Sequence, residues 1–287
     1  MPVSVMTVDE LEALIEKDKN SISLVDARPR MDYLLGHLPG AVHAGWESFS
    51  REAPALVQPI LRTPGYWGTL ADPEQADFAS RLSALGLDNQ RQIVVYADGR
   101  ASKGREGRIA WMLLYLGARN VAMLDGGIDL WKSSRKRAGK LERGEKSPEP
   151  GSFAIEPDER RRLTTDWLRA RLDSEDFPHM LDTRSKKEFE GRLFWYQPRM
   201  GRMPSASLLA FDDVFSDDRK RFVPAKTYKS LLPAGFEDAR NRGSYCEVGV
   251  RACTISLLHE IYTGEILPVY DGSMMEWSLD PELPVHR

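Results

Sequence analysis

The sequence predicts an α/β protein of two similar domains, each a parallel β-sheet flanked by helices. Three observations predict it. A string of short motifs occurs twice, in the same order and at closely matching spacing. Within each copy, short apolar runs alternate with helical patterns. A polar stretch separates the copies, in a chain whose 287 residues suffice for two domains of ordinary size.

The repeat is read from paired motifs. Leu24-Val25-Asp26-Ala27-Arg28 returns as Met180-Leu181-Asp182-Thr183-Arg184, with Tyr33 and Phe189 following at equal distances. Tyr115-Leu116-Gly117 returns as Tyr262-Thr263-Gly264. Asp125-Gly126-Gly127 with Trp131 returns as Asp271-Gly272-Ser273 with Trp277. Self-similarity of this kind marks a duplicated structural unit.

The elements follow in order. Thr7-Val8-Asp9-Glu10 is a capping box that opens a helix with Leu11, Leu14 and Ile15 on one face. Residues 23–26 form a short buried strand. A helical pattern over 78–85 ends at Gly86, where a glycine can close it. Residues 93–96 are continuously apolar, as a parallel strand covered on both faces should be. A helix over 109–116 and a strand over 121–124 complete an α/β order with a parallel sheet in each half. The expected organisation is a first domain over 1–132, an interdomain linker over 133–162 and a second domain over 163–287. The linker is rich in Lys, Arg, Glu, Gly and Pro, and its interleaved acids argue against a basic nucleic-acid arm.

Composition narrows the function classes. Hydrophobic residues at 41% and charged residues at 29% describe an ordinary globular chain. A net charge of −3 leaves no electrostatic footprint for nucleic acid, so an anionic ligand has to be met by local positive charge. Cys246 and Cys253 are the two cysteines, too few for a disulfide framework or a structural zinc site. The five histidines show no ligand spacing. The N-terminus lacks the basic and apolar regions of a secretory leader, and no run of about 18 apolar residues would span a membrane. The expectation is a cytoplasmic protein with reduced thiols, no metal and no cofactor, and neither nucleic acid nor membrane as partner.

Chemistry concentrates in Ser244-Tyr245-Cys246-Glu247-Val248-Gly249-Val250-Arg251, followed by an apolar helix through Ile255, Leu258 and Ile261. Ligands of open α/β sheets bind beyond the carboxyl ends of strands. Cys246 sits there, where a strand ends and a helix begins, so the N–H groups of 247–251 can turn around its sulfur. A thiolate is the nucleophilic form, and helix N-termini and nearby arginines favour it. The same N–H groups would hold the outer sulfur of a persulfide. This placement favours a catalytic Cys246 over a packed thiol. For Cys253, on the following helix, packing is the expected role.

With these residues in view, the chain resembles the tandem rhodanese family, which includes thiosulfate and 3-mercaptopyruvate sulfurtransferases. Tyr33-Leu-Leu-Gly-His37-Leu-Pro-Gly-Ala41 resembles its N-terminal signature. Tyr270-Asp-Gly-Ser-Met-Met-Glu276-Trp277 resembles its C-terminal one, with Met274 where an aromatic is usual. Residues 246–251 match its six-residue active-site loop. The resemblance implies two rhodanese-like domains, the first lacking the cysteine, as at Tyr96-Ala97-Asp98-Gly99-Arg100. It implies a double displacement in which a small anionic donor leaves sulfur on Cys246, and a thiol, cyanide or protein cysteine removes it. It implies substrate contacts from Arg184 and from Glu247, Val248, Gly249, Val250 and Arg251. Two departures bear on the donor. Glu247 stands where thiosulfate enzymes of this type place a basic residue, and Glu188 where mercaptopyruvate enzymes place a second arginine. A thiosulfate-like enzyme is the first expectation, with 3-mercaptopyruvate behind it.

The inserted stretch Arg192-Leu-Phe194-Trp195-Tyr196-Gln-Pro-Arg199 suggests a pocket wall of Trp195, Arg199, Arg202 and Met274. Packing of those aromatics is the equal alternative. His37 is expected to be structural, Asp26 and Asp182 to tie down local loops, and Arg100, Lys103, Arg105 and Arg108 to form a solvated loop. A phosphatase of related fold needs five residues between Cys and Arg, and here four intervene. A non-catalytic module that binds a protein through this fold is the second reading, kept open by Glu247 and Met274.

Overall fold

The computed structural model describes residues 1–18, 21–59, 61, 65–134, 140–193, 197–216, 218 and 220–287. The chain forms two compact units. One comprises Met1–Trp46, Asp72–Glu159 and Phe215–Phe222; the other comprises Glu47–Ala71, Arg160–Val214 and Val223–Arg287.

The first unit carries strands β1 (Val3–Met6), β2 (Ile22–Asp26), β3 (Val42–His43), β4 (Gln92–Tyr96) and β5 (Val121–Leu124). They form one sheet in the order β1-β5-β4-β2-β3, every pair parallel. The second unit repeats the arrangement with β6 (Arg162–Leu163), β7 (His179–Asp182), β8 (Ala206–Leu208), β9 (Arg242–Tyr245) and β10 (Val269–Tyr270). Their order is β6-β10-β9-β7-β8, again all parallel. The apolar run of β4 is buried at residues 93–96, because helices cover both faces of such a sheet. Around it Leu24, Ala122, Leu124, Ile128 and Trp131 form the core of the first unit. Leu163, Met180, Met203, Tyr245, Tyr270, Met274 and Trp277 form the core of the second. Each large side chain so buried contributes about 1.5–3 kcal/mol.

The local readings are met element by element. Thr7 and Glu10 exchange the reciprocal bonds of a capping box, with Thr7 N donating to Glu10 Oε2 at 2.7 Å and Glu10 N to Thr7 Oγ at 3.3 Å. The helix Phe78–Ala84 ends before Gly86, which is left-handed (φ 71).

Unit boundaries differ from the sequence expectation in three places. The division at 159/160 falls inside the expected linker, and residues 140–159 pack on the first unit. Glu142 and His37 exchange backbone hydrogen bonds of 2.9 Å, and Asn89 bonds the main chain of Ala154 in both directions. Residues 47–71 of the first half belong to the second unit, and residues 215–222 of the second half belong to the first. Composition does not reveal such an exchange, since the partners of each lent segment lie elsewhere in the chain.

Candidate active site

Cys246 is the first residue after β9, the middle strand of the second sheet. Four residues on, the helix Val250–Thr263 begins, capped by Gly249 in a left-handed conformation (φ 75). A Cβ at Gly249 would stand 2.6 Å from the Asp271 carbonyl oxygen, so the loop closes this tightly only with glycine. The first four N–H groups of a helix have no acceptor within it, which leaves those at the start of this one facing the loop.

Three backbone contacts fix the loop from the segment 270–275. Met274 N donates to Cys246 O at 3.2 Å, and Met275 N to Glu247 O at 3.0 Å. Cys246 N donates to Ser273 Oγ at 3.1 Å, and Ser273 Oγ donates to Tyr270 O at 2.8 Å. The lent segment 47–71 closes another side. A Cβ on Gly68 would stand 2.2 Å from Val248 O, so the two backbones are in close contact. Leu70 N donates to Asp271 Oδ2 at 2.7 Å, and Thr69 Oγ1 to Glu276 Oε2 at 2.8 Å. Burial raises the Glu276 carboxyl above its ordinary value, against the Thr69 hydrogen bond. Cys246 itself is 1% exposed.

The charge beside the cysteine comes from Arg251. Its guanidinium forms a fork on Glu188, at 3.0 and 2.8 Å, and reaches Glu247 at 3.5 Å. Burial works against the Arg251 charge, but the Glu188 hydrogen bonds and the Coulomb field of Cys246 and Glu188 raise its pKa above the ordinary value. Burial likewise opposes ionisation of Glu188, yet Arg251 and the capping Ser185 bring it down to about 2. Glu188 is thus an ionised carboxylate committed to Arg251. Sequence reading placed Glu188 by resemblance alone. The capping box Ser185-x-x-Glu188 was a local signal that fixes its side chain, with Ser185 N donating to Glu188 Oε2 at 2.9 Å.

Several expected site residues lie elsewhere. Arg184 is wholly buried. Its Nε donates to Asp182 Oδ1 at 2.9 Å, and its Nη2 to Asp182 Oδ2 at 2.6 Å and Gly201 O at 2.7 Å. Nη1 points to Gln197 Oε1 at 3.4 Å. Arg184 is thus held in an internal ion pair with Asp182. Arg199 hydrogen-bonds Ser278 O at 2.9 Å, and also Trp277 O and Asp280 O, capping the helix Ser273–Leu279. Arg202 lies over the Phe189 ring at 4.6 Å, just as His37 stacks on Tyr33 at 4.2 Å. Arg202-Met-Pro-Ser-Ala206 is in fact the second copy of His37-Leu-Pro-Gly-Ala41, a correspondence that was legible in the sequence. Met274 is a core residue, 0% exposed. Cys253 is buried on its helix, in no disulfide. Trp195 lies outside the described residues. The expected solvated loop is corrected at Arg105 and Arg108, which belong to the helix Arg105–Tyr115; Arg108 is buried over the Trp111 ring at 4.9 Å. Among the described residues no helix is long and apolar enough to cross a membrane.

A duplicated all-parallel five-stranded sheet, with a cysteine beyond the middle strand of one copy and a helix N-terminus behind it, defines the tandem rhodanese class. The chain belongs to the rhodanese sulfurtransferase family. The model of the rhodanese-like domain matches residues 7–134, the half without the cysteine. A Pseudomonas aeruginosa protein named as a probable 3-mercaptopyruvate sulfurtransferase is 33% identical over 88% of this chain and 85% of its own. The bovine thiosulfate sulfurtransferase is 24% identical, over 86% of this chain and 79% of its own. Among solved structures, the Escherichia coli 3-mercaptopyruvate sulfotransferase SseA superposes with a TM-score of 0.71 at 22% identity, over 94% of this chain and 98% of its own. A persulfide form of EanB with ergothioneine superposes with a TM-score of 0.79 at 20% identity, over 98% of this chain and 70% of its own.

Proposed function

We propose that this sulfurtransferase carries sulfur as a persulfide on Cys246, taking it from a small donor of low negative charge and passing it to a thiophilic acceptor. The observation that carries the reading is the position of Cys246, at the end of the middle strand and before the N-terminus of a long helix. The Cys246 thiolate attacks the outer sulfur of the donor. A new S–S bond forms as the donor's bond to that sulfur breaks, and the leaving group departs with the bonding pair; for thiosulfate it is sulfite. An acceptor thiolate or cyanide then attacks the outer sulfur and releases the Cys246 thiolate. The charge on the outer sulfur is met by the first-turn N–H groups of the helix Val250–Thr263.

Donor choice turns on Arg251. Two carboxylates, Glu188 and Glu247, face this one guanidinium. Little of its positive charge is left for a ligand, and a dianion loses more by that than a monoanion. The reading therefore puts a thiol carboxylate of the 3-mercaptopyruvate type ahead of thiosulfate, the reverse of the ranking expected from sequence.

Intact mass after incubation with each donor tests both statements. One added sulfur, removed by cyanide and absent in Cys246→Ala, is expected, with faster loading from 3-mercaptopyruvate. Loading of Cys246→Ala would defeat the assignment of the cysteine. Faster loading from thiosulfate would defeat the charge argument and leave the persulfide standing.

A further inference from the structure

The two units solve the same backbone problem with different residues. In the first, Ile128 N donates to Ala97 O at 2.9 Å; in the second, Met274 N donates to Cys246 O at 3.2 Å. Ala97 thus stands in the place of Cys246, and Gly127 in the place of Ser273. Gly127 has φ +54 and Ser273 has φ +52. A positive φ is ordinary for glycine and disfavoured for serine, whose Cβ crowds the backbone there. Gly127 is moreover confined, since a Cβ would stand 2.0 Å from Ala97 O. The copy without the cysteine uses the relaxed residue. The copy with it uses a residue that bears the strain.

What the serine gains is its hydroxyl. Ser273 is wholly buried, its Oγ accepts the Cys246 N–H, and its proton goes to Tyr270 O. The main chain of the cysteine is held from two sides at once, its N–H by the Ser273 side chain and its carbonyl by Met274 N. Strained residues persist where their surroundings over-determine them, as the hydrogen bonds of Ser273 do here.

We infer that Ser273 is a positioning residue, kept in a left-handed conformation so that its hydroxyl fixes the Cys246 main chain and with it the sulfur. This rests on the reading of Cys246 as the sulfur carrier. Ser273 acts through Cys246 and leaves donor binding to other groups. Its loss therefore lowers turnover without changing donor affinity.

The test compares Ser273→Gly and Ser273→Ala with the wild type. Glycine is the residue the first unit already accepts at this place, so Ser273→Gly removes hydroxyl and strain together, while Ser273→Ala removes the hydroxyl alone. For both, loss of one buried hydrogen bond predicts a fall in kcat of about five- to tenfold, with KM within about twofold. Hydrogen exchange at the Cys246 amide speeds up in both by about tenfold or more. The Tm of Ser273→Gly lies above that of Ser273→Ala, so activity and stability part company, which a purely structural serine would not produce. Wild-type kcat in Ser273→Gly, or an unchanged Cys246 amide in either variant, overturns the inference. A wild type that accepts no sulfur from any donor defeats the proposed function, and amide exchange still decides whether Ser273 holds Cys246.

Discussion

At Arg184 a single guanidinium spans Asp182 and the Gly201 carbonyl, and Arg28 spans Asp26 and the Gly36 carbonyl in the same way. Tyr245 completes the second set by donating to Asp182 at 2.7 Å, and Tyr96 the first by donating to Asp26 at 2.7 Å. The repeated Asp-x-Arg motif was legible, and its recurrence in the half without a cysteine was the sign that it serves the fold. Resemblance drew attention to the copy near Cys246 and away from that sign. Burial accounts for the pairing in physical terms, because a charge removed from water must be paired internally. Arg184→Lys tests it. A lysine keeps the charge but cannot reproduce the planar fork, so chemical denaturation is expected to show a loss of about 1.5–3 kcal/mol. KM for the donor should stay within about twofold of wild type in the folded fraction, since no substrate contact is removed. A tenfold rise in KM at unchanged stability would restore the substrate role.

The helix Arg105–Tyr115 shows what an apolar pattern reads and what it misses. The pattern begins at Ile109, and the first turn, all polar except Gly107, carries no periodic signal. Yet Glu106 in that turn is buried at 1% exposure. Ser102 Oγ accepts from Gly104 N at 3.1 Å and contacts both Gly99 O, at 2.7 Å, and Glu106 Oε2. A hydroxyl has one proton, and the Gly99 carbonyl can only accept. That one proton is shared between the Gly99 carbonyl and the Glu106 carboxylate oxygen. Burial pushes that carboxyl to about 7, with the Ser102 hydrogen bond opposing; Asp98 raises it slightly and Arg105 lowers it. Its folded value lies above the unfolded one, so its contribution to stability is complete below about pH 4.5 and is lost as pH rises through about 7. Glu106→Gln keeps the shape and removes the titration. Relative to that variant, the wild type is expected to lose on the order of 2–3 kcal/mol between pH 5 and pH 9, followed by urea denaturation. Parallel stability–pH curves for the two proteins would mean that Glu106 is ionised throughout.

Duplication explains why so much of the molecule was readable and where reading stopped. Strand runs, capping boxes and paired motifs are local, and each half corroborates the other. The exchanged segments 47–71 and 215–222 and the packed stretch 140–159 depend on partners far along the chain, so their own sequences are silent. The same comparison of halves says what a sulfur site needs beyond a cysteine. In the first unit the helix after β4 starts at Arg105, eight residues past Ala97, and the helical turn Gly99–Ser102 intervenes. In the second it starts four residues past Cys246. The N-terminus of the helix Arg105–Tyr115 therefore lies one loop further along the chain from position 97, and Gly127 offers no hydroxyl to the main chain there. Ala97→Cys in a Cys246→Ala background puts a thiol in the corresponding place without that setting. Intact mass should show no added sulfur from either donor, and the reaction should stay at the level of Cys246→Ala alone. Persulfide on the new cysteine at a rate near wild type would mean that the sheet position by itself makes the site, and that neither the early helix start nor Ser273 is required.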